Sequence, residues 1–195
     1  MWDEEYSVDE YVYGTAPNDF LRSMTEKLTR GRVLCLAEGE GRNAVHLARN
    51  GFSATAVDSS RVGLAKAKAL ALKHGVDIEI VHADLAEFKT EEDTWDSIIS
   101  ISCHLPPGLR QRVHRSVVSG LKQGGTFLLE AYTPKQLEFG TGGPPSAEYM
   151  MELSTLREEL SGLEIIHGEE LVRSVVEGIN HTGTGAVVQI LARKP

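Results

Sequence analysis

Cysteine is scarce in this chain, with two residues, Cys35 and Cys103, among 195. Each lies inside an apolar run, which points to buried free thiols rather than a disulfide framework. Neither Cys-x-x-Cys nor His-x-x-x-His spacing occurs, so no metal site is expected. Long hydrophobic runs are missing too. None approaches the roughly 20 residues that a bilayer span needs, so no membrane partner is expected. The N-terminus lacks the basic-then-apolar order of a secretory signal, which leaves the cytoplasm as the expected compartment. Basic clusters are also lacking. The formal net charge is −8, and Asp3, Glu4, Glu5, Asp9 and Glu10 open the chain without a Lys or Arg among them. Binding to a phosphate backbone draws on Lys and Arg, so no nucleic-acid partner is expected. There is no internal repeat and no low-complexity linker, and the length suits one domain.

Short β-rich runs alternate with helical stretches. The first run is Arg32 to Leu36, followed by a glycine-rich turn and a helix ending near Asn50-Gly51. Phe52 to Val57 is the second run, ending at Asp58, and an Ala/Lys/Leu-rich helix follows from Arg61 to His74 before Gly75 stops it. The third run, Asp77 to Val81, leads into His82-Ala83-Asp84, and the fourth is Trp95 to Ile101. Pro106 and Pro107 open a helix reaching about Gly120, since proline fits a helix's first turn. Lys122 to Gly125 reads as a turn into the fifth run, Thr126 to Tyr132. Continuous apolar runs separated by helices indicate parallel strands covered on both faces.

The pattern then changes. Ser146 to Leu160 reads as a helix, and Leu163 to Glu177 and Ala186 to Arg193 as strands joined by the loop Gly178 to Gly185. That loop is too short for a helical crossover, so the last pair is expected to be antiparallel. The expected architecture is a single α/β domain, 1–195, with a doubly wound, mostly parallel seven-stranded sheet and an antiparallel C-terminal strand pair. Residues 1–30 form an N-terminal helical lid segment and 31–195 the sheet core.

After the first strand the chain reads Ala37-Glu38-Gly39-Glu40-Gly41-Arg42-Asn43-Ala44. Glycines there let a ligand approach the backbone and let the chain turn into a helix. Asp58 at the second strand's end can accept from both hydroxyls of a ribose. Asp84 at the third can accept from an adenine amino group, with Leu85 beside the ring. Open α/β sheets bind ligands at these carboxyl ends. Each aspartate can equally cap a following helix. The spacing Gly39-x-Gly41-x-x-Ala44 also fits the dinucleotide fingerprint of nicotinamide dehydrogenases. Against that alternative stand the absence of a Tyr-x-x-x-Lys pair, the role for Asp84, and the terminal hairpin.

The segments VLCLAEGEGRNAVHLA, AVDSS, HADL, WDSIISISCHLPP and GGTFLLEAYTP resemble the successive motifs of class I S-adenosylmethionine-dependent methyltransferases. They are most similar to the tellurite-resistance-related branch, with thiopurine methyltransferase a more distant likeness. The opening MWDEEYSVDEYVYGTAPNDFL resembles that branch's lid segment. The resemblance implies a Rossmann-like methyltransferase fold, S-adenosylmethionine as cofactor, and a small-molecule acceptor such as a thiol or chalcogen oxyanion. It implies a cofactor site of Glu38, Gly39, Gly41, Asn43, Asp58, Ser59, Asp84, Leu85 and Ile101. The usual pattern has an acid at Cys35 and a glycine at Ala37, so Glu38 takes over the methionine amino group. These departures also leave open a non-catalytic sensor of the cofactor or its demethylated product.

Methyl transfer requires chiefly positioning and a dry site, and a general base only where the nucleophile must lose a proton. The candidates nearest the expected methyl are His104, usable as a base near neutrality, and Tyr132, a pocket wall. Trp2, Tyr6, Tyr11 and Tyr13 suit a lid that excludes water. His181, in the loop between the last strands, can reach a substrate, although a loop histidine is usually just solvated.

Overall fold

The computed structural model describes residues 1–195. Its centre is a seven-stranded sheet in the order β3-β2-β1-β4-β5-β7-β6. The strands are β1 (Arg32–Leu36), β2 (Ser53–Asp58), β3 (Glu79–His82), β4 (Trp95–Ile101), β5 (Leu121–Tyr132), β6 (Glu164–Glu177) and β7 (His181–Arg193). The first five run parallel; β7 pairs antiparallel with β5, and β6 antiparallel with β7. This is the expected architecture. Strand order reverses beside β1, which pairs with β2 on one side and β4 on the other, and opens the crevice where such sheets take ligands.

The helices are α1 (Trp2–Glu5), α2 (Asp19–Met24), α3 (Arg42–Arg49), α4 (Arg61–Lys73), α5 (Pro107–Gly120) and α6 (Leu153–Glu159). Side chains of a strand alternate between faces, so β1 feeds two cores at once. Val33 and Cys35 pack with Leu47, Leu64 and Leu70 of α3 and α4. Leu34 and Leu36 pack with Val117 and Leu156 of α5 and α6. Burial on both faces is why the strands read as unbroken apolar runs. Cys35 and Cys103 are buried and free. No helix is long and apolar enough to cross a membrane.

Four expectations need correction. β7 begins at His181 rather than Ala186, so the terminal hairpin turns over Gly178-Ile179-Asn180 alone, with Glu177 opposite His181. The polar stretch HTGTG concealed a strand because its partner β6 supplies the ladder. Lys122 to Gly125 lies within β5 instead of forming a separate turn, and the irregular pairing with β4 falls there. The expected helix from Ser146 is a single 3-10 turn, Ala147–Tyr149, followed by α6. β3 is shorter than expected, beginning at Glu79 instead of Asp77.

Candidate functional site

The carboxyl ends of the parallel strands open into a cavity of about 930 Å³. That volume suits a cofactor with a small second molecule, since ligand pockets commonly span about 300–1,000 Å³. Glu38, Asn43, Asp58, Ser59, Asp84, Leu85, Ile101 and His104 all line it.

The turn after β1 is shaped by left-handed backbone at Ala37, Gly39 and Gly41, with φ of 49°, 60° and 88°. Ala37 thus adopts the conformation of the glycine that the related pattern carries there. A Cβ at Gly39 would stand 2.6 Å from the Tyr6 hydroxyl, and one at Gly41 would stand 2.5 Å from the Ala67 Cβ of α4. The two glycines therefore set close packing, of the lid and of α4, and neither lines the cavity.

Asp58 is buried. Its Oδ2 accepts the Gly39 N–H at 2.8 Å and its Oδ1 the Ser60 N–H at 2.7 Å. Burial pushes its carboxyl above the usual value against those N–H groups. Asp58 does not cap α4. Ser60 does, its Oγ accepting the Gly63 N–H at 3.0 Å. Asp58 is therefore free to hold the glycine bend while facing the cavity. Asp84 is exposed and holds a short turn, with Oδ1 accepting the Ala86 N–H at 2.8 Å. Glu38 is buried, and its Oε1 accepts the N–H groups of Asn43 and Ala44 at 2.9 and 2.8 Å, capping α3. Its other oxygen accepts no N–H group of the chain. Burial pushes Glu38 up to about 7, against the pull of the Ala44 N–H, Arg42 and the Asn43 N–H. Asn43 Oδ1 accepts the Asn18 N–H at 3.0 Å and so ties α3 to the N-terminal segment.

His104 and Tyr132 stack, with ring centroids 5.6 Å apart and planes within 10°. His104 Nε2 accepts the Tyr132 backbone N–H at 2.9 Å. Burial and the neighbouring His181 push His104 down to about 4, so it is neutral at pH 7 with that lone pair in use. Tyr132 lies one layer behind the cavity wall. The Gly142–Gly143 bend covers it so closely that a Cβ on Gly143 would meet its ring at 2.8 Å.

Of the far wall, sequence reasoning singles out only His181. Arg42, Gly142, Gly143, Pro144, Tyr149, Asn180 and His181 also line the cavity. The Gly-Gly-Pro-Pro stretch was the one local signal, because paired glycines followed by prolines mark a close backbone approach. Trp2, Tyr6 and Tyr13 of the N-terminal segment line the cavity, whereas Tyr11 does not. Trp2 stacks on Tyr6, Tyr6 meets Tyr13 edge-on, and Tyr13 packs on His181 at 4.6 Å. Asp3 accepts from the Ser60 hydroxyl at 2.6 Å, and Ile179 donates to the Val12 carbonyl at 2.8 Å. The segment thus bridges α4 and the β6–β7 hairpin across the mouth. Under it, Arg42 pairs with Glu177 at 2.7 Å, and Asn18 donates to both Glu130 and Glu177 at 2.7 Å. The second guanidinium nitrogen of Arg42, Nη1, is buried without a partner.

Residues 33–125 match the family model of the methyltransferase domain. That stretch is just under half of the chain. No curated protein matches it by sequence. Among solved structures of this fold, one is a protein linked to conversion of a disulfide bond into a thioacetal group during echinomycin biosynthesis. It has a TM-score of 0.81 and 18% identity over 99% of this chain and 90% of that one. TehB from Haemophilus influenzae has a TM-score of 0.75 and 18% identity over 100% of this chain and 66% of that one. A protein of Methanosarcina mazei described as an S-adenosylmethionine-dependent methyltransferase gives 0.70 and 16%, over 92% and 98%.

S-adenosylmethionine is the cofactor such a domain implies, and the residues present fit it. Asp58 offers a fixed carboxylate, and Glu38 an uncommitted oxygen for an ammonium. The orphaned Arg42 Nη1 offers a donor for a carboxylate, and Leu85 with Ile101 an apolar bed for a purine ring.

Proposed function

We propose that the chain transfers the methyl group of S-adenosylmethionine to a small-molecule acceptor, and that the acceptor is a thiol or chalcogen oxyanion. The observation that carries this reading is the convergence of Glu38, Asp58, Asp84 and Leu85 on one cavity, at the sheet's switch point, in the matched domain. The resemblance of the chain's sequence segments to the tellurite-resistance-related branch supports a chalcogen acceptor. The echinomycin protein, tied to disulfide and thioacetal chemistry, supports a sulfur one.

The cofactor supplies a methyl already activated by its positive sulfur. The chain's own residues bind, orient and exclude water. Asp58 and Asp84 hold the adenosine, and Glu38 the amino group. Gly39 and Gly41 let the backbone and the Tyr6 lid come close, while Asn43, Ser59 and Ile101 complete the bed. The aromatic lid removes water, which strengthens each electrostatic contact inside. Neutral His104 stacks on Tyr132 and shapes the acceptor end of the cavity.

The test is transfer of labelled methyl to a panel of thiols, tellurite and selenite by the full chain. Product from a member of the panel is expected. Tight binding of S-adenosylhomocysteine with no transfer to any member would leave a cofactor-binding protein and overturn the proposal.

A further inference from the structure

His181 looks like a loop residue in sequence, yet the fold seats it on the cavity wall. Strand order puts β7 five intervals from β3, roughly 24 Å at the usual spacing, so His181 faces the end of the cavity remote from Asp84. Its ring is wedged between Tyr13 at 4.6 Å and Tyr132 at 5.3 Å, and it is 9% exposed. Nδ1 lies 3.8 Å from Glu177 Oε2 and is buried with no hydrogen-bond partner. Nε2 makes no hydrogen bond within the chain. His104, by contrast, has its Nε2 lone pair engaged by the Tyr132 N–H.

We propose that His181 is the proton acceptor of the transfer, with Glu177 as its positioning residue, and that the natural acceptor is a neutral thiol. This rests on the methyltransferase reading. As the carbon–sulfur bond to the acceptor forms, the bond from methyl to the donor sulfur breaks and its electron pair stays on that sulfur. The thiol proton passes to His181 Nε2 and leaves an imidazolium beside Glu177. Burial favours neutral Glu177, yet His181, Arg42 and Asn18 hold its carboxyl well below the usual carboxylate range. A fixed anion beside an imidazole orients the ring and stabilises its protonated form.

The hairpin keeps this pair in register. Glu177 sits opposite His181, and a Cβ on Gly178 would run into the Val12 carbonyl of the lid segment. The groups facing His181 are Glu177 on β6, Tyr132 on β5, Tyr13 on the lid and His104 after β4. Arg42 on α3 bears on it through Glu177, and Glu5 through Asn180, whose amide it accepts.

Two thiol probes separate the roles. 4-Nitrothiophenol is already a thiolate at neutral pH, whereas phenylmethanethiol keeps its proton. His181→Ala and His181→Gln are expected to cut methylation of phenylmethanethiol about 10²-fold or more and that of 4-nitrothiophenol several-fold at most. Added imidazole is expected to restore part of the lost rate in His181→Ala. Unchanged S-adenosylhomocysteine affinity by calorimetry would certify the fold of both variants. Nitrogen NMR of the wild type loaded with S-adenosylhomocysteine is expected to show His181 protonated on Nδ1 and bare on Nε2. Equal loss on both probes, no loss on phenylmethanethiol, or the opposite tautomer overturns the assignment. A wild type that binds S-adenosylhomocysteine but methylates neither probe overturns the thiol-methyltransferase reading itself, and the assignment with it.

Discussion

Replacing Asp58 with alanine tests the adenosine site most directly. In the protein as folded, the carboxylate holds the Gly39 and Ser60 N–H groups and turns its remaining acceptor capacity to the cavity. Ribose hydroxyls donating to it would form charge-assisted hydrogen bonds, each contributing about 1.5–3 kcal/mol. Losing one weakens binding at least tenfold, since tenfold is about 1.4 kcal/mol, and losing both weakens it about 10²-fold or more. The substitution also strips two main-chain N–H groups of their acceptor. Each such group costs about 1–3 kcal/mol when it stays buried. The melting temperature of the free protein is therefore expected to fall by about 4–24 °C, for about 2–6 kcal/mol at about 2–4 °C per kcal/mol in a domain of this size. Asp58→Asn keeps an acceptor oxygen and is expected to lie between. Calorimetry with S-adenosylhomocysteine on variants shown to be folded by circular dichroism gives the answer. Wild-type affinity in Asp58→Ala would refute the ribose role.

Three further outcomes are expected. Glu38 titrates at about 7 in the free protein, so an ammonium binding beside it must find or create the ionised form. S-adenosylhomocysteine binding should release a proton near pH 7 and weaken as pH falls below that value; binding heats that do not vary with buffer ionisation heat would contradict this. His104→Ala should lower turnover more than cofactor affinity, because the Tyr132 stack loses its support; an unaltered rate on a thiol that the wild type methylates would remove His104 from the site. Glu159 is buried with Arg110 at 2.8 Å and His114 at 2.6 Å, and although burial opposes ionisation these partners hold its carboxyl down to about 2 from 4.5. With the folded value below the unfolded one, its stabilisation is full above about pH 4.5 and is lost as pH falls towards 2. Glu159→Gln should melt lower than wild type at pH 6, with the gap closing below pH 4, as followed by thermal melts.

Local chemistry determined much of this molecule. The five apolar runs, the glycine bend after β1 and the aspartates ending the second and third runs are written in neighbouring residues, so the parallel core and the adenosine end were legible. Burial on both faces makes each run apolar without interruption, and caps and prolines mark the helices. The acceptor end was decided by contacts that no local pattern encodes. β7 extends through HTGTG only because β6 lies alongside, and that pairing turns His181 from a loop residue into a wall residue facing Glu177. Arg42, Asn18, Glu130 and Glu177 lie far apart along the chain, and only the closure of the sheet makes them one buried network. Whether Asp58 caps a helix or braces the glycine bend was likewise open in sequence, since both uses need the same residue at a strand's end. The serine two residues on takes the capping hydrogen bond and leaves the carboxylate to the cavity.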